Sequence, residues 1–371
     1  MLSIDFGTSR VKVAYLKGNE AKLLPIGEGS RNFIPSLFYI GTDGSIEIGD
    51  DAASMLDVDP NGVVDTLKRK LRERKIRKNK QRKTPKELLK TLFSWIRTRC
   101  HEEMEHIFPE PPAEVTLTYP ARYTDVEMNL LKEAAHEVGF ETVELISEPE
   151  AAGLAYQHKV GTGLTSDVVV ILDCGGGTAD WACLKMNNGK LRLFPEVPEG
   201  GDENIGGHDI DEELLKMIRE KLEDEDKLEV LDKLRVQQTR VLNQIRSIKE
   251  KFSKRGKVLG SDVVRIGRER VTITPEDFQT AFENKVFKNL VTNFSKYLEE
   301  VKSKSGESNP IVLLVGGTGQ LRGLSDILEN RCGVQVQKWM ESEFATVQGA
   351  LYAHTDTQSI AKAQNEAKKA E

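Results

Sequence analysis

One pattern occurs twice in this chain, and it limits the possible architecture more than any other feature. Residues 1–17, MLSIDFGTSRVKVAYLK, run from an apolar stretch through an aspartate into glycine and small polar residues, then into a second apolar stretch. Residues 166–186, SDVVVILDCGGGTADWACLKM, do the same. Asp5-Phe6-Gly7-Thr8 aligns with Asp173-Cys174-Gly175, and the two aspartates stand 168 residues apart in a chain of 371. Each copy reads as strand, tight turn, strand. One copy could arise by chance. Two copies, each between strand-length apolar runs, imply a duplicated α/β architecture of two related lobes.

The chain is too long for a single hydrophobic core, which agrees with two lobes. Apolar residues at 38% and charged residues at 30% suit a globular chain, not a disordered one. The net charge of −6 supplies no global attraction to nucleic acid or anionic lipid, so neither is expected as a partner. Cys100, Cys174, Cys183 and Cys332 lack metal-ligand spacing, and no CxxC occurs. They read as reduced thiols in a cytoplasmic protein. MLSIDFG reaches a carboxylate at Asp5, so no signal peptide is expected. Apolar runs such as VVVIL (168–172) and IVLLV (311–315) have buried-strand length and are too short to span a membrane.

Between the two copies, residues 125–140 predict a helix with Thr124 or Asp125 as N-cap and Gly139 as stop. EPEAAGLAY (148–156) and ATVQGALYA (345–353) each predict a helix with a narrow face of Ala and Gly. Faces that thin can cross closely, which suits helices passing between lobes. The run 67–83 carries eleven Lys/Arg and one Glu. It could bind nucleic acid or an acidic partner, but the acidic balance of the whole chain favours a solvated helix face. Residues 354–371 read as a polar tail.

The chemistry concentrates in the glycine loops. Successive backbone amides in such turns form an anion-binding concavity. Gly175, Gly176, Gly177 and Thr178 can therefore wrap phosphate oxygens, as can Gly7, Thr8 and Ser9. Asp5, Asp173 and Asp180 would repel that phosphate unless a cation sits between, and Mg²⁺ bridges phosphates and carboxylates while keeping its waters. Neither a GxxxxGK[ST] loop nor a GxGxxG opening a helix is present. Two further glycine sites follow: VLLVGGTGQLRGL (312–324), with a helix expected from about Leu321, and EGGDENIGGHDIDEELL (199–215), where Gly206-Gly207 precede an acidic helix start.

Taken together these motifs resemble the actin-like ATPase superfamily, and most closely the nucleotide-binding domain of DnaK-type heat-shock chaperones. IDFGTSRVKVAYL is similar to the first phosphate loop, ILDCGGGTADWACL to the second, and LLVGGTGQLRGL to the adenosine loop. EPEAAGLAY and ATVQGALYA resemble the connecting helices, and GDENIGGHDIDEELL the motif that separates the chaperone branch from actins and sugar kinases. The resemblance covers about residues 2–353, with the motifs in family order.

It implies a duplicated actin-like, ribonuclease H-like fold: two lobes and four subdomains around a central nucleotide cleft. Lobe I would be 1–154, with a lid at about 35–110; lobe II would be 155–353, with a lid at about 208–284 and the helix 345–353 crossing back. The implied cofactors are ATP or ADP with Mg²⁺, held through water by Asp5 and Asp173. Thr8 and Ser9 match hydroxyl donors to the terminal phosphates, and Gly175 to Thr178 match the phosphate cradle. Lys68 matches the catalytic lysine, Glu148 the carboxylate that orients the attacking water, and Asp180 a second carboxylate near that water. Thr178 is carried over as catalytic too. Gly316, Gly317 and Thr318 fall in the adenosine loop, and Gly206, Gly207 and Glu343 are carried over as further cofactor-binding residues. Lys249 and Ser253 match ribose contacts, and Pro120 a relay of nucleotide state.

Several positions depart from the pattern. Gln320 and Glu250 stand where the chaperones stack adenine between two arginines, Arg246 where a glutamate is usual, and Arg10 where an aromatic or small residue is usual. The phosphate end is therefore expected intact and the base end rewritten, with weaker or less adenine-selective binding. No β-sandwich for client peptides is expected after Ala353. The implied function is an ATPase switch acting as a monomer on co-chaperone-like or exchange-factor-like partners. A filament-forming actin-like ATPase and a nucleotide-sensing scaffold with little hydrolysis stand as alternatives.

Overall fold

The structure, a computed structural model, describes residues 1–161, 164, 166–253, 260–284, 288–321, 323–339 and 342–353; for residues 235, 252, 253, 288 and 342 it describes the backbone alone. Both duplicated segments fold as antiparallel hairpins. Leu2–Phe6 pairs with Arg10–Lys17, placing Asp5 opposite Lys12. Val168–Cys174 pairs with Ala179–Asn187, placing Asp173 opposite Asp180. The two hairpins share their register, so Lys12 occupies in the first the position of Asp180 in the second.

Each hairpin is embedded in its own six-stranded sheet. The first runs Thr142–Ser147, Glu114–Tyr119, Leu2–Phe6, Arg10–Lys17, Glu20–Leu23, with Ile34–Pro35 beside Arg10–Lys17. The second runs Gln335–Lys338, Ile311–Val315, Val168–Cys174, Ala179–Asn187, Lys190–Leu193, with Gly200–Asp202 beside Ala179–Asn187. In each, the first hairpin strand pairs parallel with one neighbour, which pairs parallel with the next. The duplication is thus one of topology. Residues 168–172 and 311–315 are buried throughout, as strands covered on both faces must be, and so their apolar runs are continuous and do not alternate. Separate apolar cores form around the two sheets.

Two small-residue helices cross between the halves. Glu148–Val160 is capped by the Ser147 hydroxyl, which accepts from the Glu150 amide. Residues 345–353 are helical, and the Ser3 hydroxyl donates to the Val347 carbonyl at 2.6 Å, tying this helix to the first strand. A Cβ on Gly349 would lie 1.7 Å from the Ala151 carbonyl oxygen, so the crossing is a backbone-to-backbone contact that admits only glycine. Gly349→Val is expected to destabilise the chain by about 3 kcal/mol or to prevent folding. An unchanged urea midpoint would show that these helices can part freely.

Three expectations need correction. The basic run is not a helix face: it forms a 3-10 turn at Leu67–Lys70 and a hairpin of Ile76–Lys78 with Gln81–Lys83. Asn79 and Lys80 supply the pair of positive φ angles, 48° and 63°, that a two-residue hairpin requires. The helix after the Gly316-Gly317 turn begins at Leu324 and not near Leu321. Thr318–Gln320 first makes a 3-10 turn, and Leu321 then extends the chain at ψ 139°. The helix expected over 125–140 ends at His136, and Gly139 serves the following turn at φ +96°. Residues 354–371, read as a polar tail, lie outside the described residues.

Candidate functional site

The two hairpin turns meet. A Cβ on Gly176 would fall 2.4 Å from the Ser9 Oγ, and one on Gly177 would fall 2.2 Å from the Thr8 Oγ1. Glycine is needed at both positions because the facing loop presses its hydroxyls there. Behind this contact lies a cavity of about 450 Å³. The first hairpin lines it with Asp5, Gly7, Thr8, Ser9, Arg10 and Lys12, the second with Asp173 and residues 175–178. Lys68 and Glu148 close one side, and Gly207, Arg246, Lys249 and Glu250 another. Gly316, Gly317, Thr318, Gln320 and Glu343 complete the set carried from the sequence.

Two of the residues carried from the sequence fall elsewhere, and the side chain of a third is not described. Gly206 lies behind the loop, where a Cβ would meet the Gly177 Cα at 2.7 Å, so it supports the turn from outside. Asp180 is buried beside the cavity and is not part of its lining. The Ser253 side chain lies outside the described residues.

The second loop is held from behind. The Gly207 amide donates to the Gly175 carbonyl at 3.1 Å and the His208 amide to the Gly176 carbonyl at 2.7 Å. Both come from the start of the helix Gly207–Asp224, whose first amides have no intrahelical partner. The Thr318 hydroxyl adds a bond to the Gly175 carbonyl at 2.6 Å. The Gly175 amide is spent on the Thr178 carbonyl at 2.9 Å, so the cradle expected at residues 175–178 loses that donor. Gly316, at φ +82°, packs so close to Asp173 that a Cβ there would lie 2.3 Å from its Oδ1.

The charges at the floor are organised by the hairpin register. Asp5 faces Lys12 at 2.9 Å; burial pushes its carboxyl up, but Lys12 and Lys68 outweigh this and hold it below the ordinary value. Asp173 faces Asp180 instead. Burial raises Asp173 to about 7, with Glu148 and Asp5 adding to the effect. Burial and Glu148 push Asp180 well above the ordinary range. Lys68 and Glu148 form a buried ion pair. Burial would lower the Lys68 ammonium, yet Glu148 and Asp5 raise it, while burial keeps Glu148 raised despite its lysine.

Sequence reasoning missed two cations. Lys12 was legible in principle: seven residues after Asp5, it faces that aspartate across a hairpin whose turn is Gly7-Thr8-Ser9. Arg69, read with the rest of the basic run as surface, instead hydrogen-bonds the Gly177 carbonyl and reaches Asp209 at 2.6 Å. It ties the 3-10 turn carrying Lys68 to the second loop. No local pattern separates it from its basic neighbours. Pro120 borders a smaller cavity of about 170 Å³ that shares Thr8, Lys68 and Thr178 with the main one.

The other end is chemically distinct. Arg10 donates to Glu250 at 2.9 Å and to Glu343 at 3.1 Å, and lies over the Phe33 ring with 4.3 Å to its centroid. Lys249 pairs with buried Asp211 at 2.7 Å, and the Arg246 Nε stands 3.6 Å from the same carboxylate. The Gln320 amide donates to the Trp339 carbonyl at 3.4 Å.

Comparison with known proteins identifies the family. A family profile described as Hsp70 protein matches residues 73–355. The chain belongs to the Hsp70 family. The first hairpin and Lys68 precede the matched Hsp70 segment. The chaperone protein DnaK of Endomicrobium trichonymphae is 26% identical over 360 residues, which is 92% of this chain and 55% of that protein. The chaperone protein DnaK of Elusimicrobium minutum is 30% identical over 59% of this chain and 35% of its own length. That of Methanothermobacter thermautotrophicus is 27% identical over 62% and 38%. This Hsp70-family chain therefore spans between about a third and about half the length of those relatives. Among the described residues no helix is long and apolar enough to cross a membrane, and no group of three His, Cys, Asp or Glu is placed to hold a metal directly.

Proposed function

We propose that this chain binds Mg-ATP between its lobes and hydrolyses it, acting as a DnaK-like conformational switch. The contact of Gly176 and Gly177 with Thr8 and Ser9 carries the reading, because it brings two amide- and hydroxyl-rich turns to one point. Asp5 and Asp173 would hold a hydrated Mg²⁺ through its waters. The fit rests on Asp173: its carboxyl is raised to about 7 by burial first and then by Glu148 and Asp5, so the site has room for positive charge. When bound, that ion would offset charge on the phosphates. The amides of Gly176, Gly177 and Thr178 and the hydroxyls of Thr8 and Ser9 would orient the terminal phosphates. Lys68 would offset charge developing on the γ-phosphate, and Glu148 with Asp180 would place the attacking water. Positioning and charge compensation are the main needs of this reaction, and the cluster supplies both.

The lids at about 35–110 and 208–284 would close on the nucleotide and reopen after hydrolysis, and partners resembling co-chaperones or exchange factors would read the two states. Isothermal calorimetry tests the binding step. Mg-ATP is expected to bind, and EDTA to weaken that binding at least tenfold. ATP and GTP are expected to differ less than in an ordinary DnaK, because Glu250 and Gln320 occupy the base-holding positions. Discrimination as sharp as that of a DnaK would overturn the reading of the base end.

A further inference from the structure

We propose that Arg10 is the base-stacking residue of this cleft, a planar platform fixed in place by Phe33, Glu250 and Glu343. The inference rests on the nucleotide reading above and adds which side chain holds the base. A nucleobase needs a flat surface. Among the described lining residues there is no aromatic ring. The flat side chains there without negative charge are the guanidinium groups of Arg10 and Arg246 and the Gln320 amide. Arg246 is turned toward buried Asp211, and Gln320 is bonded to the Trp339 carbonyl. Arg10 remains.

Its surroundings suit the role. Phe33, which is not itself a lining residue, packs against the guanidinium, with 4.3 Å from Cζ to the ring centroid. Nη1 donates to Glu343 and Nη2 to Glu250. Arg10 itself lines the cavity. Arg10 begins the second strand of the first hairpin, Glu250 lies on the helix Gln238–Ser253, and Glu343 lies on the turn Ser342–Phe344. The platform therefore exists only when elements of both halves come together. It also stands at the mouth: the side chains of Arg10, Glu250 and Glu343 are 29%, 46% and 45% exposed, against 5% and 9% for Lys68 and Glu148 at the floor. Ion pairs this exposed contribute little stability, so their effect is to orient a guanidinium.

Calorimetry with two probes tests this: Mg-ATP, and Mg-tripolyphosphate, which carries no base. Arg10→Ala should weaken ATP roughly tenfold more than tripolyphosphate. Phe33→Leu and Glu250→Gln, which loosen the platform without removing it, should lower the ATP-to-tripolyphosphate affinity ratio in the same direction by a smaller factor. An unchanged ratio in Arg10→Ala, with the unsubstituted protein binding ATP, would overturn the platform and leave the nucleotide site standing. No binding of either probe by the unsubstituted protein would overturn both.

Discussion

Asp173→Asn is expected to stabilise the ligand-free protein and to abolish Mg-dependent ATP binding. In the fold Asp173 has a carboxyl raised to about 7, chiefly by burial and next by Glu148 and Asp5. The unfolded chain holds it near the ordinary value of 3.8. Between those values the folded state binds the extra proton, so stability is lost as pH rises through the window from about 4 to about 7. Above it, the charged form costs on the order of 4 kcal/mol, from a shift of about 3 units at ~1.4 kcal/mol each. Raised Asp180 and Glu148 act with the same sign. Asp5, whose carboxyl is held below the ordinary value, titrates beneath this window. The ligand-free protein should therefore melt several degrees higher at pH 5.5 than at pH 8. Asp173→Asn should shrink that difference and raise the melting temperature at pH 8, while Mg-ATP should raise the melting temperature of the unsubstituted protein only. A variant melting no higher than the parent at pH 8 would refute the electrostatic account.

Lys68→Ala is the second large effect. Removing the cation that faces Glu148 and Asp5 should slow single-turnover hydrolysis by roughly 100- to 1,000-fold, the size found when one charge-stabilising donor is removed from a preorganised site. ATP affinity should fall by less than tenfold, since the loop amides and hydroxyls remain. The substitution also leaves Glu148 buried without its partner, which costs on the order of 3 kcal/mol while that carboxyl is charged. Pairing it with Glu148→Gln should restore the melting temperature but not the hydrolysis. Steady phosphate release from Lys68→Ala would show that Lys68 does not act on the γ-phosphate and that the chemistry rests on other groups.

The hairpins were legible because their determinants are local: an apolar run long enough for a strand, an aspartate at its end, and a turn too poor in side chains to be anything else. The crossing helices were legible for the same reason, since Ala and Gly at helical spacing make a thin face wherever they occur, and Gly349 against Ala151 is what such a face permits. The basic run was misread. Its charge count suggested a solvated helix, but the left-handed residues Asn79 and Lys80 close a hairpin, and charge says nothing about backbone angles. Arg69 was missed because its bond to Gly177 links residues 108 positions apart. Gly206 was read as a ligand contact, although its neighbour is the back of the second loop.

By itself the sequence determined that this protein has two related halves, each opening on an aspartate-bearing glycine turn, because backbone conformation and strand burial follow from residues a few positions apart. The tertiary structure alone decided which charges meet. It set Lys12 against Asp5 but buried Asp173 near Glu148 and Asp5, so one aspartate is compensated and the other is raised to about 7. It also joined Arg10 to Glu250 and Glu343 across 240 and 333 positions of chain. Electrostatic pairing depends on distance through space, and that distance is set when the two halves pack and not by spacing along the chain.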